Sequence, residues 1–131
     1  MKILVVESSI AVGERLLALL ARSGKYTALG CAASAAQALE MIAVERPDAL
    51  LLDLYLNDGS GFKLLEVLRT WQLPLPVIVL SINHGWQYQI QAKALGAAAF
   101  LCKSTQFEDI VPTLDRLLHA DAAGLEACGA T

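Results

Sequence analysis

The chain has few charged side chains and no long apolar segment. Charged residues make up 18% of its 131 residues, and the formal net charge at pH 7 is -3. Because nucleic-acid binding needs a basic surface, we expect this segment to make no contact with DNA or RNA itself. No apolar run approaches the roughly 20 residues that cross a bilayer, and Glu7, Glu14 and Arg15 interrupt the stretch where a signal peptide would be apolar. The sequence therefore predicts a cytoplasmic protein without membrane contact.

Cysteine is also scarce. The three cysteines, Cys31, Cys102 and Cys128, show no CxxC spacing and have no accompanying histidine cluster. Neither a disulfide framework nor a zinc site is therefore supported. Cys31 and Cys102 lie in apolar runs and are predicted to be small buried side chains. Cys128 lies in a Gly/Ala-rich tail, where its thiol would be exposed.

Apolar residues are abundant, at 56% of the chain, which is enough for one well-packed domain. Short apolar runs alternate five times with segments of helical period. The predicted strands are residues 2–6, 26–32, 49–53, 77–80 and 96–102. Such alternation predicts a parallel sheet with helices on both faces, and right-handed crossovers make it doubly wound. We predict a flavodoxin-like α/β sandwich of the (βα)5 type, with a five-stranded parallel sheet in the order 2-1-3-4-5.

Local signals mark several helix ends. Two stretches have the capping-box pattern that opens a helix, Ser34-Ala35-Ala36-Gln37 and Thr105-Gln106-Phe107-Glu108. Pro112 lies just beyond the second box, which predicts a kink or a late helix start. The third helix is expected to place Trp71 on its apolar face with leucines. The fourth helical segment, residues 85–95, is the most polar and is expected to be weakly anchored.

Polar side chains close four of the five predicted strands. Glu7 and Ser8 follow the first strand, Asp53 the third, Ser81 the fourth and Lys103 the fifth. The carboxyl ends of parallel strands meet at one edge of a sheet, where ligands bind. Two carboxylates, hydroxyl groups and an ammonium suit phosphoryl transfer onto a carboxylate, with Asp53 as nucleophile. A hydroxyl and a lysine would hold the phosphoryl oxygens, and a divalent cation would neutralise the developing charge.

The order and spacing of these stretches resemble the receiver domain of two-component response regulators (CheY-like), over residues 1–120. Residues 121–131 would be a tail or the start of a linker. Four motifs carry the resemblance, and none of them would be specific alone. They are Ile3-Leu4-Val5-Val6-Glu7, Leu51-Leu52-Asp53-Leu54 with Asp58-Gly59, Pro76-Val77-Ile78-Val79-Leu80-Ser81, and Gly96-Ala97-Ala98-Ala99-Phe100-Leu101-Cys102-Lys103.

The resemblance implies that Asp53 accepts a phosphoryl group from a sensor histidine kinase or a phosphotransfer protein. Ser81 and Lys103 would contact that group, and Mg²⁺ would be bound by Glu7, Asp53 and the backbone carbonyl of Tyr55. Such a domain is not an enzyme acting on a separate substrate, because it catalyses only its own phosphorylation and dephosphorylation.

The resemblance also implies a switch. Phe100 matches an aromatic position that moves together with the hydroxyl at Ser81. The fourth helix, fifth strand and fifth helix would then form the output surface, which controls a partner or an attached output domain and could also join two copies in a homodimer.

Three residues depart from the family pattern, and two of them, Ser8 and Ile82, favour a second hypothesis. Ser8 stands where an acid usually binds Mg²⁺, and a neutral hydroxyl is a weaker ligand for a hard cation, so the metal contact at Ser8 is weak or lost. Ile82 stands where a small residue is usual and could narrow access to Asp53. Ser104 replaces a common proline. The chain could therefore be a degenerate pseudo-receiver, which acts through protein contacts with weak or no Mg²⁺-dependent phosphorylation.

Plainer interpretations stay open for single residues. Glu7 could be a helix N-terminal acid, Lys103 a solvated charge and Ser81 an ordinary strand-end hydroxyl, while Phe100 could simply be core. Asn57-Asp58-Gly59 is typical of a turn, although Asp58 could supply part of the charge that Ser8 lacks. An aspartate-nucleophile phosphatase is disfavoured because such enzymes carry a second aspartate where this chain has Tyr55. The sequence does not identify the kinase, the signal or the output pathway.

Overall fold

Five parallel strands form the central sheet of the computed structural model, which describes residues 1–82 and 85–118. The strands are β1 (Lys2–Val6), β2 (Thr27–Ala32), β3 (Ala49–Asp53), β4 (Val77–Ser81) and β5 (Ala99–Cys102). Their hydrogen-bonded order is β2-β1-β3-β4-β5, and every neighbouring pair is parallel. The predicted flavodoxin-like sheet order is confirmed. The predicted tail and boundary at residue 120, with Cys128, lie outside the described residues.

Helices cover both faces of this sheet. They are α1 (Ile10–Ser23), α2 (Ala35–Glu45), α3 (Gly61–Thr70), α4 (Trp86–Ala94) and α5 (Ile110–Leu118). Helices α1 and α5 pack on one face, and α2, α3 and α4 contribute to the core on the other. Within the described residues, no helix has both the length and the apolar character needed to span a membrane.

The alternation of side chains along β1 shows how one sheet supplies two cores. Leu4 and Val6 belong to the core beneath α2 and α3, whereas Ile3 and Val5 belong to the core beneath α1 and α5. Successive side chains of a strand point to opposite faces, so a strand covered on both sides must be apolar throughout. This requirement explains the unbroken apolar runs in the sequence.

The first capping box is confirmed in part. Ser34 Oγ accepts a hydrogen bond from the Gln37 amide at 3.1 Å, as a capping box requires. However, Gln37 Oε1 accepts from the Ala33 amide at 3.1 Å, one residue before the position in the usual motif. The side chains of Ser34 and Gln37 therefore each accept a hydrogen bond from a backbone amide at the N-terminus of α2.

The prediction that a capping box at residues 105–108 opens the last helix is wrong. A short 3-10 turn, Phe107–Asp109, follows β5, and α5 begins only at Ile110. This late start was one of the two outcomes predicted from Pro112, because a proline without an N–H fits only in the first turn of a helix. Gln106 Oε1 instead accepts a hydrogen bond from the Cys102 amide at 2.9 Å. Gln106 therefore stabilises the end of β5.

The prediction for Trp71 is also wrong. Trp71 is 50% exposed, because α3 ends at Thr70 and Trp71 is its C-cap residue. Leu64, Leu65 and Leu68 form the buried face of that helix. Trp71 instead borders a surface groove of about 470 Å³ near the C-terminal end of α2.

Candidate functional site

Asp53 is the last residue of β3, a strand buried along its whole length. The strand lies between β1 and β4, so the Asp53 carboxylate emerges at the centre of the sheet edge. Only 4% of Asp53 is exposed. A carboxylate this buried needs a partner, because desolvation of an unpaired charge is strongly unfavourable.

Lys103 provides that partner. Its Nζ lies 3.1 Å from Asp53 Oδ2 and 2.6 Å from Glu7 Oε2, so one ammonium bridges two carboxylates. The Lys103 side chain is 14% exposed, and the two acids are almost completely buried. The backbone amide of Lys103 donates to the carbonyl of Ser81 at 3.0 Å, which fixes the end of β5 beside the end of β4. The ends of β1, β3 and β5 therefore converge on one cluster of charges.

Glu7 is held by its own loop as well as by Lys103. Its Oε1 accepts from the Ser9 amide at 3.1 Å, and its backbone amide donates to the Ala32 carbonyl at 2.8 Å. Oε2 is buried and accepts no further hydrogen bond from the described residues. Burial of the side chain raises the pKa of Glu7 above its usual value, with the charge of Asp53 acting in the same direction and Lys103 opposing it. Glu7 is thus a buried acid of the pocket, and not a solvated residue at a helix terminus.

Ser8 has a partner that the sequence did not reveal. Its hydroxyl donates to the backbone carbonyl of Tyr55 at 2.9 Å, so the loop after β1 is joined to the loop after β3. Both residues were expected at a metal site, Ser8 as a weak ligand and Tyr55 through this same carbonyl. In the structure, the Ser8 hydroxyl and the Tyr55 carbonyl are instead hydrogen-bonded to each other.

The oxygen groups of the pocket fit a hard cation only partly. Glu7, Asp53 and the Tyr55 carbonyl are the oxygen ligands that Mg²⁺ prefers. Within the described residues, no three acidic, histidine or cysteine side chains gather as a metal cluster. Two carboxylates and a carbonyl could hold Mg²⁺, but with one charge fewer than a site with a third acid.

Asp58 does not supply the missing charge. Its two carboxylate oxygens accept from the amides of Ala35 and Ala36 at 2.8 and 3.1 Å, so the residue caps the N-terminus of α2. These hydrogen bonds hold the pKa of Asp58 below its usual value. The turn prediction for this stretch is confirmed, since Asn57 and Asp58 connect the two strands of a short hairpin, Tyr55–Leu56 and Gly59–Ser60.

The remaining predicted site residues lie on the last two strands of the sheet or directly after them. Ser81 is fully buried at the end of β4. Phe100 is half-buried on β5 and packs against the core on the α4 side. Ile82 is 63% exposed, so its effect on access to Asp53 stays a prediction. Cys102 is buried, and Cys31 is half-buried.

One further link was not foreseen from the sequence. The Tyr55 side chain raises the pKa of Tyr88, so the two phenols interact. This interaction relates the loop after Asp53 to α4. Apart from the presence of a tyrosine at position 55, nothing in the sequence indicates this contact.

Comparison with known proteins gives a consistent picture. The response regulator receiver domain family matches residues 3–115. The sensory transduction protein LytT of Bacillus cereus is 33% identical over 116 residues, covering 88% of this chain and 46% of LytT. The transcriptional regulatory protein YdfI of Bacillus subtilis is 28% identical, covering 92% of this chain and 56% of YdfI. The chain therefore spans about half the length of these relatives.

Solved structures are similar over the described fold. The non-phosphorylated HemR receiver domain of Leptospira biflexa has a TM-score of 0.78 and 31% identity, covering 89% of this chain and 93% of that one. The BeF3-activated N-terminal receiver domain of RstA from Klebsiella pneumoniae has a TM-score of 0.80 and 28% identity, covering 87% and 95%. Sequence, sheet order and structural similarity agree, and the chain belongs to the response regulator receiver domain family.

Proposed function

We propose that the chain is a phosphoacceptor signalling switch of a two-component system, with Asp53 as the acceptor. The observation that carries the proposal is the position of Lys103, within 3.1 Å of Asp53 and 2.6 Å of Glu7 at the carboxyl edge of the sheet. A lysine beside the acceptor carboxylate can neutralise a phosphoryl group as it arrives. The donor would be a sensor histidine kinase or a phosphotransfer protein, acting in the cytoplasm.

The transfer itself needs little chemistry from the protein. An oxygen of Asp53 attacks the phosphorus of a phosphohistidine, the P–N bond breaks, and the imidazole leaves. Lys103 then pairs with a phosphoryl oxygen, and Ser81 donates its hydroxyl proton to another. Mg²⁺, when bound by Glu7, Asp53 and the Tyr55 carbonyl, would supply a second positive charge. Water later hydrolyses the aspartyl phosphate, which returns the carboxylate.

The signal would leave through the surface formed by α4, β5 and α5. Helix α4 buries only Ala92 and has no side-chain N-cap, so little free energy opposes its movement. Its side chains Trp86 and Ile90 are 68% and 58% exposed and are available to a partner, an attached output domain or a second copy. A phosphoryl group that draws Ser81 and Phe100 toward the pocket would shift α4 between pre-existing positions.

A degenerate receiver is the second candidate. It is favoured by one observation, namely that the Ser8 hydroxyl donates to the carbonyl that would bind the metal. In that case the surface of α4, β5 and α5 would act through protein contacts alone.

The acceptor is tested by Asp53→Asn. We expect the wild-type protein, incubated with acetyl phosphate and Mg²⁺, to gain the mass of one phosphoryl group, because Asp53 closes the central strand β3 and lies 3.1 Å from Lys103. The Asp53→Asn variant should gain none, as measured by intact-protein mass spectrometry.

Asp58→Asn is the matched control, since Asp58 lies on the same loop but faces α2, and it should be labelled like the wild type. Labelling of Asp53→Asn would move the acceptor elsewhere. A wild type that gains no mass at any Mg²⁺ concentration would support the degenerate receiver.

A further inference from the structure

The contact between Ser8 and Tyr55 links two loops that a metal ion would otherwise join. The Ser8 hydroxyl oxygen lies 2.9 Å from the Tyr55 carbonyl oxygen, and the residues are separated by 47 positions in the chain. A carbonyl oxygen can only accept, so the single hydroxyl proton of Ser8 is directed at it. The bond therefore uses one of the two lone pairs of that carbonyl and holds the loop after β3 against the loop after β1.

The charge of the pocket is already partly balanced by Lys103. Two carboxylates close together normally favour a cation, because their charges repel. Here the ammonium of Lys103 lies between Glu7 and Asp53 and contacts both. An entering Mg²⁺ would therefore have to share the two carboxylates with Lys103 and the Tyr55 carbonyl with the Ser8 hydroxyl.

We propose that the Ser8 hydroxyl holds the acceptor loop, residues 54–60, against the loop after β1 and competes with the cation for the Tyr55 carbonyl. Ser8 is then a positioning residue, and its effect on Mg²⁺ affinity has the opposite sign from that of a ligand. The proposal rests on the proposed function only in taking that carbonyl as a ligand of the site.

The Ser8→Ala variant distinguishes a residue that competes with the metal for the Tyr55 carbonyl from a residue that binds the metal. Loss of the hydroxyl frees the carbonyl, and the space it leaves admits a metal-bound water. We expect Ser8→Ala to bind Mg²⁺ about 2- to 10-fold more tightly than the wild type, the range that corresponds to one neutral hydrogen bond. A ligand role predicts weaker binding, and a residue without a role predicts unchanged binding.

The measurement is a Mg²⁺ titration of the unphosphorylated full chain, followed by NMR through the backbone amide shifts of residues 53–60. Ser8→Thr keeps the hydroxyl and should bind Mg²⁺ like the wild type. Ser60→Ala removes another hydroxyl near this loop, which caps α3 by accepting from the Phe62 amide at 3.1 Å, and should leave Mg²⁺ affinity unchanged. These two variants control for a general loosening of the loop.

A second readout needs no metal. In the presence of a chelator, the amides of residues 55–60 should exchange with solvent faster in Ser8→Ala than in the wild type, because the bond between the loops is lost. Weaker or equal Mg²⁺ binding by Ser8→Ala, or unchanged exchange, would overturn the proposal. No phosphodonor is involved, so a failure here is distinct from a failure of Asp53 to accept phosphate.

Discussion

Gly61 is the residue that allows the acceptor loop to turn back beside Asp53. A Cβ at this position would overlap the backbone carbonyl oxygen of Asp53. The Gly61 amide also donates to the Leu54 carbonyl at 2.7 Å, which fixes the start of α3 against the end of β3. Any side chain at residue 61 must therefore displace backbone that carries the acceptor.

We expect Gly61→Ala to lower the free energy of unfolding by about 1–3 kcal/mol, the usual effect of forcing extra atoms into a packed site. Urea unfolding measures this change. Gly85→Ala is the control, because a Cβ there meets only the Tyr88 side chain at 3.7 Å, and it should have a much smaller effect. Equal stabilities for the two variants would show that the loop adapts easily.

At this scale the sequence predicted the side chains of the pocket but not their hydrogen bonds. Asp53 and Lys103 could be placed together because each closes a parallel strand, and strand ends share an edge. Ser8 and Asp58 could not be assigned, since their partners depend on the paths of two loops. Loop conformation is decided by local hydrogen bonds that leave no periodic pattern in the sequence.

At the scale of elements, α4 differs from the other helices in how weakly it is held. It buries only Ala92 and begins at Gly85 without a side-chain cap, whereas α1 buries four residues and is capped by Ser9. The weak anchoring was predicted from its polar composition. Helices with little buried apolar surface open locally at low free energy.

We therefore expect the amides of α4 to exchange with solvent faster than those of α1 or α3, as measured by hydrogen exchange in the unphosphorylated protein. Tyr88→Phe should accelerate exchange in α4 further, because it removes the hydroxyl that interacts with Tyr55. Protection of α4 equal to that of α1 would contradict its proposed role as the moving element.

Element boundaries were predicted best where side-chain chemistry fixes them. Ser34 begins α2 as expected, because its hydroxyl satisfies a free amide of the first turn. The start of α5 was misplaced at Thr105, because the capping-box pattern competes with Pro112 and the proline is the stronger constraint. The exposure of Trp71 was missed because helical periodicity does not show where α3 ends.

At the scale of the whole molecule, the doubly wound parallel sheet followed from the alternation of strands and helices and from right-handed crossovers. The cross-links between distant elements did not. Tyr26 precedes β2 and is 6% exposed, and its hydroxyl donates to Asp115 of α5, which also pairs with Lys25 at 2.8 Å. Burial raises the pKa of Tyr26 well above its usual value, and the bond to Asp115 acts in the same direction.

The raised pKa of Tyr26 predicts a loss of stability in alkali. The folded protein keeps the phenol proton where the unfolded chain, with its pKa near 10.0, releases it. The contribution is therefore complete below that pH and is lost as the pH rises above it. Tyr26→Phe should be less stable by about 1 kcal/mol at pH 7, the value of one hydrogen bond, but should lose less stability above pH 10.

Urea unfolding from pH 7 to 11 compares the two proteins, whose stabilities should approach each other at the alkaline end. Parallel pH profiles would show that the phenol proton of Tyr26 is not retained more strongly in the folded state.

The two tryptophans lie at opposite ends of the molecule. Trp86 opens α4, on the acceptor side of the sheet, and Trp71 caps α3 at the far side, with 68% and 50% of their surfaces exposed. A Trp71→Phe variant would thus leave a single tryptophan, on the helix proposed to move. Stopped-flow emission could then time the switching event in an unlabelled protein, with the Trp86→Phe variant as an internal reference for solvent quenching.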